Sequence, residues 1–194
     1  GPNVGLVLRT WPGEHVVKCL LAYHPDDAEA LREEQLRHLV ELAEACNLTG
    51  HELLVEVIPP RDMPAQADTL ARAMKQIYTA GVWPDWWKLE PMRSRAAWGS
   101  AIAAIEAHDA HTRGIVVLGL DAPEGELAAS FETAAGFDLV KGFAVGRTIF
   151  GAVARDWMTG ATSDAEAVAA MARRYARLCA IWDKARAAAR EAVA

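Results

Sequence analysis

Five short apolar runs, each followed by a stretch of helical period, constrain this chain more than any other feature. The first, "VVKCLLAY" at 16–23, is β-branched at its start and ends in "HPDD", where Pro25 and Asp26 supply turn and cap chemistry. From about residue 28 to 46, Leu31, Leu36, Leu39, Leu42 and Ala43 then follow one helical stripe with Glu and Arg between them, until "NLTG" stops it. The grammar repeats. "ELLVEVI" (52–58) precedes a helix over 68–80, "DWWKLE" (85–90) one over 96–107, and "GIVVLGL" (114–120) one over 124–135. "LVKGFAVG" (139–146) is followed by a helix over 148–158 and by an Ala- and Arg-rich helix over 164–192, a composition that favours helix.

Consecutive βα units with near-continuously apolar strands imply an α/β fold with a parallel sheet covered by helices. An open doubly wound sheet and a (β/α)8 TIM barrel both fit. No GxGxxG or GxxxxGK[ST] signature is present, which weakens the nucleotide-binding forms of the open sheet. "GLVLRTWP" near the start reads as the tail of one further strand, so the chain carries five or six βα units. A typical barrel has about 250 residues and eight strands. The expectation is therefore a single barrel-type domain over 1–194, partial in itself and the C-terminal part of a longer chain or completed by another one.

Composition narrows the function classes. A formal charge of -6, from 20 Lys and Arg against 26 Asp and Glu, argues against a general binder of nucleic acid or of anionic membranes. The three cysteines, Cys19, Cys46 and Cys179, lie far apart without metal-ligand spacing and read as reduced thiols of a cytoplasmic protein. No window approaches the roughly 20 apolar residues a membrane span needs.

In both architectures function gathers at the C-terminal ends of the strands. His24, Asp26 and Asp27 stand there after the first strand, with Glu56 in the second, Lys88 and Glu90 in the third, Asp121 after the fourth, and Gly146 and Arg147 after the fifth. Residues of equal parity on a strand share a face. Lys18, Leu20 and Ala22 share one, Leu54, Glu56 and Ile58 another, and Trp86, Lys88 and Glu90 a third; in a barrel all three sets can line the interior. Like charge and desolvation both disfavour the ammonium of a lysine placed there beside a second lysine. A neutral amine attacks carbonyls to form a Schiff base, and a neighbouring carboxylate such as Glu56 can move the protons. The alternative is a buried Lys–Glu salt bridge without chemistry.

Other features have plainer readings. His24 before Pro25 is more often a loop residue than a metal ligand, since no further ligands stand at useful spacing; no metal is expected. Trp86 and Trp87 fit strand packing, and Asp26 and Asp121 fit helix capping. "VGRTIFG" (145–151) offers backbone N–H groups, a guanidinium and a helix N-terminus to an anion at the place where barrels often bind phosphate. Arg147 fits a salt bridge equally well.

Taken together, "VVKCLLAYHPDD", "HELLVEVIPP", "DWWKLEP", "VVLGLDAPEGELAASF" and "VKGFAVGRTIFG" resemble the C-terminal domain of unknown function fused to bacterial 5-dehydro-2-deoxygluconokinase, from about Val4 to Trp182. That kinase belongs to inositol catabolism, whose next step cleaves 2-deoxy-5-keto-gluconate 6-phosphate to dihydroxyacetone phosphate and malonate semialdehyde. More distantly the strand motifs are similar to class I tagatose 1,6-bisphosphate aldolases, barrels with a Schiff-base lysine. That resemblance implies that Lys88 is the Schiff-base residue, Glu56 the acid/base and Lys18 the second active-site lysine. It also places phosphate on Gly146 and Arg147.

The upstream strands of the aldolase barrel have no counterpart here, and the "YHPDD" and "GLDAPEGE" loops are particular to the kinase-fused domain. The resulting expectation is a cytoplasmic, cofactor-free class I aldolase (a lyase) acting on a phosphorylated keto sugar acid, with Asp121 and His24 as further candidates for substrate hydroxyls. Its expected partners are the sugar-phosphate substrate, a fused or associated carbohydrate kinase and further copies of itself. The rival is a non-catalytic sugar-phosphate-binding or assembly module attached to the kinase.

Overall fold

In a computed structural model, residues 3–92, 94–119 and 123–192 are described. The elements run α1 (Val4–Leu8), β1 (Val17–Ala22), α2 (Glu29–Thr49), β2 (Leu53–Ile58), α3 (Thr69–Thr79), β3 (Trp86–Leu89), α4 (Arg95–His108), β4 (Gly114–Leu118), α5 (Glu124–Ala134), β5 (Val140–Ala144), α6 (Arg147–Met158) and α7 (Asp164–Glu191). The five strands form one parallel sheet in the order β1-β2-β3-β4-β5. The α/β class and the five apolar runs stand as the sequence implied. The sixth strand does not: "GLVL" is the short helix α1. Asn3 caps it, its side chain accepting the Leu6 N–H at 3.2 Å, and the run buries only Leu8. A run that short has too few apolar positions to hold a strand against a competent helix cap.

The chain divides into two compact units, one comprising Gly1–Leu89 and Ala96–Ile115, the other Glu90–Arg95 and Val116–Ala194. In the first unit, strand parity separates two faces. Val17, Leu21, Leu53, Val55, Val57, Trp87 and Leu89 are buried, and Leu70, Met74 and Ile77 of α3 and Trp98, Ala101 and Ile105 of α4 fill the same core. The opposite face carries exposed Lys18, Leu20 and Ala22 and half-buried Leu54, Ile58, Trp86 and Lys88. At the N-terminal ends of the strands, Asp85 accepts the Leu53 N–H at 2.9 Å and its carbonyl accepts the Arg113 N–H at 2.7 Å, which fixes where β2, β3 and β4 begin. Helix α2 ends at Gly50, which takes φ 74° and closes the helix through its N–H to the Cys46 carbonyl, a conformation that favours glycine.

Burial pushes the Cys46 thiol up to about 11, with Asp85 and Cys19 adding to the shift. The thiolate is the reactive species. At pH 8 Cys46 is therefore expected to resist iodoacetamide in the folded protein and to alkylate promptly in denaturant; rapid labelling of the folded chain, read by peptide mapping, would contradict this burial.

In the second unit Phe131 of α5 centres an aromatic cluster, stacked on Phe143 of β5 at 5.0 Å and edge-on to Trp182 of α7 at 5.5 Å. Helix α7 opens on a capping box in which Ser163 and Glu166 satisfy each other's backbone N–H groups. Further along, Arg186 donates to the Ala135 and Phe137 carbonyls, tying α7 to the C-terminal end of α5.

Candidate active site

Register brings the three predicted residues of the first unit together. Glu56 of β2 stands opposite Lys88 of β3, and Lys18 of β1 opposite Leu54, so all three side chains leave the same face of the sheet. The Lys18 Nζ lies 3.0 Å from Glu56 Oε2 and the Lys88 Nζ 3.1 Å from Oε1. One carboxylate thus holds two ammonium groups, one on each oxygen. The Glu56 side chain is 7% exposed, that of Lys88 18% and that of Lys18 47%. The carboxylate is buried, whereas both amines can be reached from the open face. Burial of Glu56 is tolerable because both of its oxygens carry charge-assisted partners. The arrangement holds one amine in excess of carboxylate, next to a group able to take and return protons.

Trp86, two residues before Lys88 on the same face, is held by its indole N–H, which donates to Glu52 at 2.7 Å; Arg113 pairs with the same carboxylate at 2.8 Å. Leu20, directly opposite Glu56, is half exposed beside the cluster. Sequence reasoning placed Leu20 on this face by parity without giving it a role, and passed over Glu52 and Arg113.

The loop after β1 is differently organised. His24 is buried, its Nδ1 accepting the Asp26 N–H at 3.2 Å, which leaves Nε2 as donor to the Pro64 carbonyl at 3.1 Å. Both ring nitrogens are committed to backbone, and the ring ties this loop to the one after β2. Gln76 of α3 accepts from the Tyr23 hydroxyl at 2.6 Å and donates to the Pro25 carbonyl at 3.1 Å. Asp26 pairs with Arg72 of α3, whose hydrogen bond holds the carboxyl below its ordinary value. Removing the imidazole in His24→Ala is expected to cost about 1–3 kcal/mol in unfolding experiments, the scale of orphaned buried polar groups, while leaving any chemistry at Lys88 intact. Loss of that chemistry in a folded variant would return His24 to the substrate.

In the second unit Gly146 is the residue before α6, its carbonyl accepting the Ile149 and Phe150 N–H groups at 2.8 and 3.1 Å. Arg147, the first residue of the helix, is exposed. Gly119, just after β4, approaches this turn so closely that a Cβ there would meet Val145 at 2.8 Å, so a side chain would push the two loops apart. Asp121 lies outside the described residues. Among the described residues no three His, Cys, Asp or Glu side chains converge as metal ligands, and no helix is long and apolar enough to cross a membrane.

Fold and cluster together define a parallel α/β protein with a two-lysine, one-carboxylate centre on the open face of its first strands. Residues 1–186 match the family described as an uncharacterized protein conserved in bacteria (DUF2090), and the chain belongs to that family. A search of curated proteins gave no match.

Proposed function

We propose that the chain is a class I, Schiff-base aldolase-like domain of (β/α)8 type that cleaves a phosphorylated keto sugar acid. The observation that carries the proposal is the pair of amines on one buried carboxylate, with Lys88 and Lys18 at 3.1 and 3.0 Å from Glu56. The strand order runs without reversal, whereas doubly wound sheets have a switch point where the order turns back; this favours the barrel type. The resemblance of the strand motifs to class I aldolases favours the chemistry.

In this reading Lys88, having passed its proton to Glu56, attacks the substrate ketone through the Nζ lone pair. The carbinolamine loses water, with Glu56 supplying the proton, and a protonated imine forms. The carbon–carbon bond between the α- and β-carbons then breaks, its electrons moving into the iminium as the β-hydroxyl proton goes to the base. The aldehyde leaves, the enamine regains a proton from Glu56, and water hydrolyses the imine to free the ketone. Lys18, the second active-site lysine by the resemblance, binds a substrate oxygen. Through the resemblance, the substrate is a compound such as 2-deoxy-5-keto-gluconate 6-phosphate and the ketone product dihydroxyacetone phosphate.

The test is borohydride reduction in the presence of dihydroxyacetone phosphate, read by intact mass and peptide mapping. An adduct on Lys88 supports the proposal. The second reading is the non-catalytic binding or assembly module, which the double salt bridge at Glu56 also suits, since two ion pairs tie three strands together. Folded protein that binds the ligand yet forms no adduct would decide for that reading.

A further inference from the structure

Helices α6 and α7 face each other across an open groove of about 1220 Å³, larger than the pockets of about 300–1,000 Å³ that hold small molecules. Facing stripes of two packed helices are ordinarily apolar. Here Arg155 of α6 and Arg173, Arg174 and Arg177 of α7 line the groove instead. Three of them fall within little more than one turn of α7, where residues three or four apart have Cβ atoms roughly 5–6 Å from each other and like charges destabilise the helix.

Partners for this charge are few. Arg177 meets Glu124 at 3.4 Å, and Arg174 reaches the Ile149 carbonyl at 3.4 Å, both long contacts. Among the described residues neither Arg155 nor Arg173 sits in an ion pair. The concentration is pronounced in a chain of formal charge -6, and Glu124 is the single carboxylate among the described lining residues. Arg147 lines the groove as well.

We infer that this groove of the second unit is a binding site for linked phosphates. Guanidinium forks match phosphate bidentately, and a row of them one turn apart suits neighbouring phosphoryl groups better than a single carboxylate. Phe150, 43% exposed, and Met158, 78% exposed, add apolar surface to the same groove, so a planar body attached to the phosphates has somewhere to lie. A nucleoside triphosphate and a bare polyphosphate chain share this chemistry.

Titration calorimetry on the full chain with ATP, tripolyphosphate and orthophosphate tests the site. Saturable binding of tripolyphosphate or ATP is expected, at least 10-fold tighter than orthophosphate, weakened by salt, and reduced at least 10-fold in the exposed double variant Arg173→Ala/Arg177→Ala but not in Arg37→Ala on α2. Glu124→Gln, which frees Arg177, is expected to tighten it. A preference for ATP that Phe150→Ala removes identifies a nucleotide; equal affinity for tripolyphosphate identifies the phosphate chain alone. Binding should survive Lys88→Met, so that its fate is independent of the aldolase proposal. No saturable binding, binding unchanged in the double variant, or equal affinity for orthophosphate would overturn the inference.

Discussion

Lys88→Ala is expected to give a folded protein that forms no borohydride-stable adduct with dihydroxyacetone phosphate and has no measurable cleavage activity. The fold survives because Glu56 keeps its 3.0 Å contact with Lys18, so removing one amine leaves the buried carboxylate paired. In the proposed Schiff-base reading the chemistry does not survive, because a nucleophile has no substitute: Lys18 projects from the same face but is held on the other carboxylate oxygen. Glu56→Gln should separate proton transfer from covalent attachment. It keeps the shape, removes the base, and is expected to lower turnover by roughly 10²–10⁴, the usual worth of general acid–base catalysis. Removing both lysines is the informative control for stability, since Glu56 would then be a buried charge with no partner, and the double variant should fall further than the two single ones added. An adduct that persists in Lys88→Ala, mapped to Lys18, would exchange their roles; an adduct mapped to neither would end the Schiff-base reading.

How far such a site was legible before the structure depends on the range of the contacts that make it. Strand runs are local, and their alternation assigned Lys18, Glu56 and Lys88 to faces without knowledge of register. Register then needed only parallel pairing to set Glu56 opposite Lys88. The imidazole of His24 was not legible, because its partner is a carbonyl 40 residues away on another loop. The first helix was misread because four apolar residues carry too little periodicity to distinguish helix from strand, and the deciding group, the Asn3 side chain, lies outside the run. The arginine groove was overlooked for another reason. Arg173, Arg174 and Arg177 have the spacing of a helical stripe, but a charged stripe on an Ala-rich helix ordinarily faces solvent, and only the position of α6 turns it into one wall of a groove.

The other large effect is expected at Trp87, which sits on the strand beside Lys88 and points the opposite way. Trp87 has no exposed surface, its indole N–H donates to the Tyr78 hydroxyl at 2.9 Å, and the two rings meet edge-on at 5.5 Å. Tyr78 is stacked in turn on His108 at 5.2 Å, and burial holds its phenol well above the ordinary value. Trp87→Ala removes this anchor and is expected to cost about 3–5 kcal/mol, a fall in Tm on the order of 10 °C for a chain of this size. Trp87→Phe, which keeps a ring but abandons the Tyr78 hydroxyl, should cost less than half as much. Because β3 has only four residues, burying Trp87 is what directs Lys88 to the open face; a slip of one residue would exchange them. Adduct yield at Lys88 in Trp87→Ala should therefore fall with temperature well before that of the parent protein, in step with loss of the near-ultraviolet circular dichroism of its aromatic core. Yield that stayed at the parental level through that transition would mean that Lys88 is positioned by Glu56 alone, and that the packing behind the strand contributes nothing to the site.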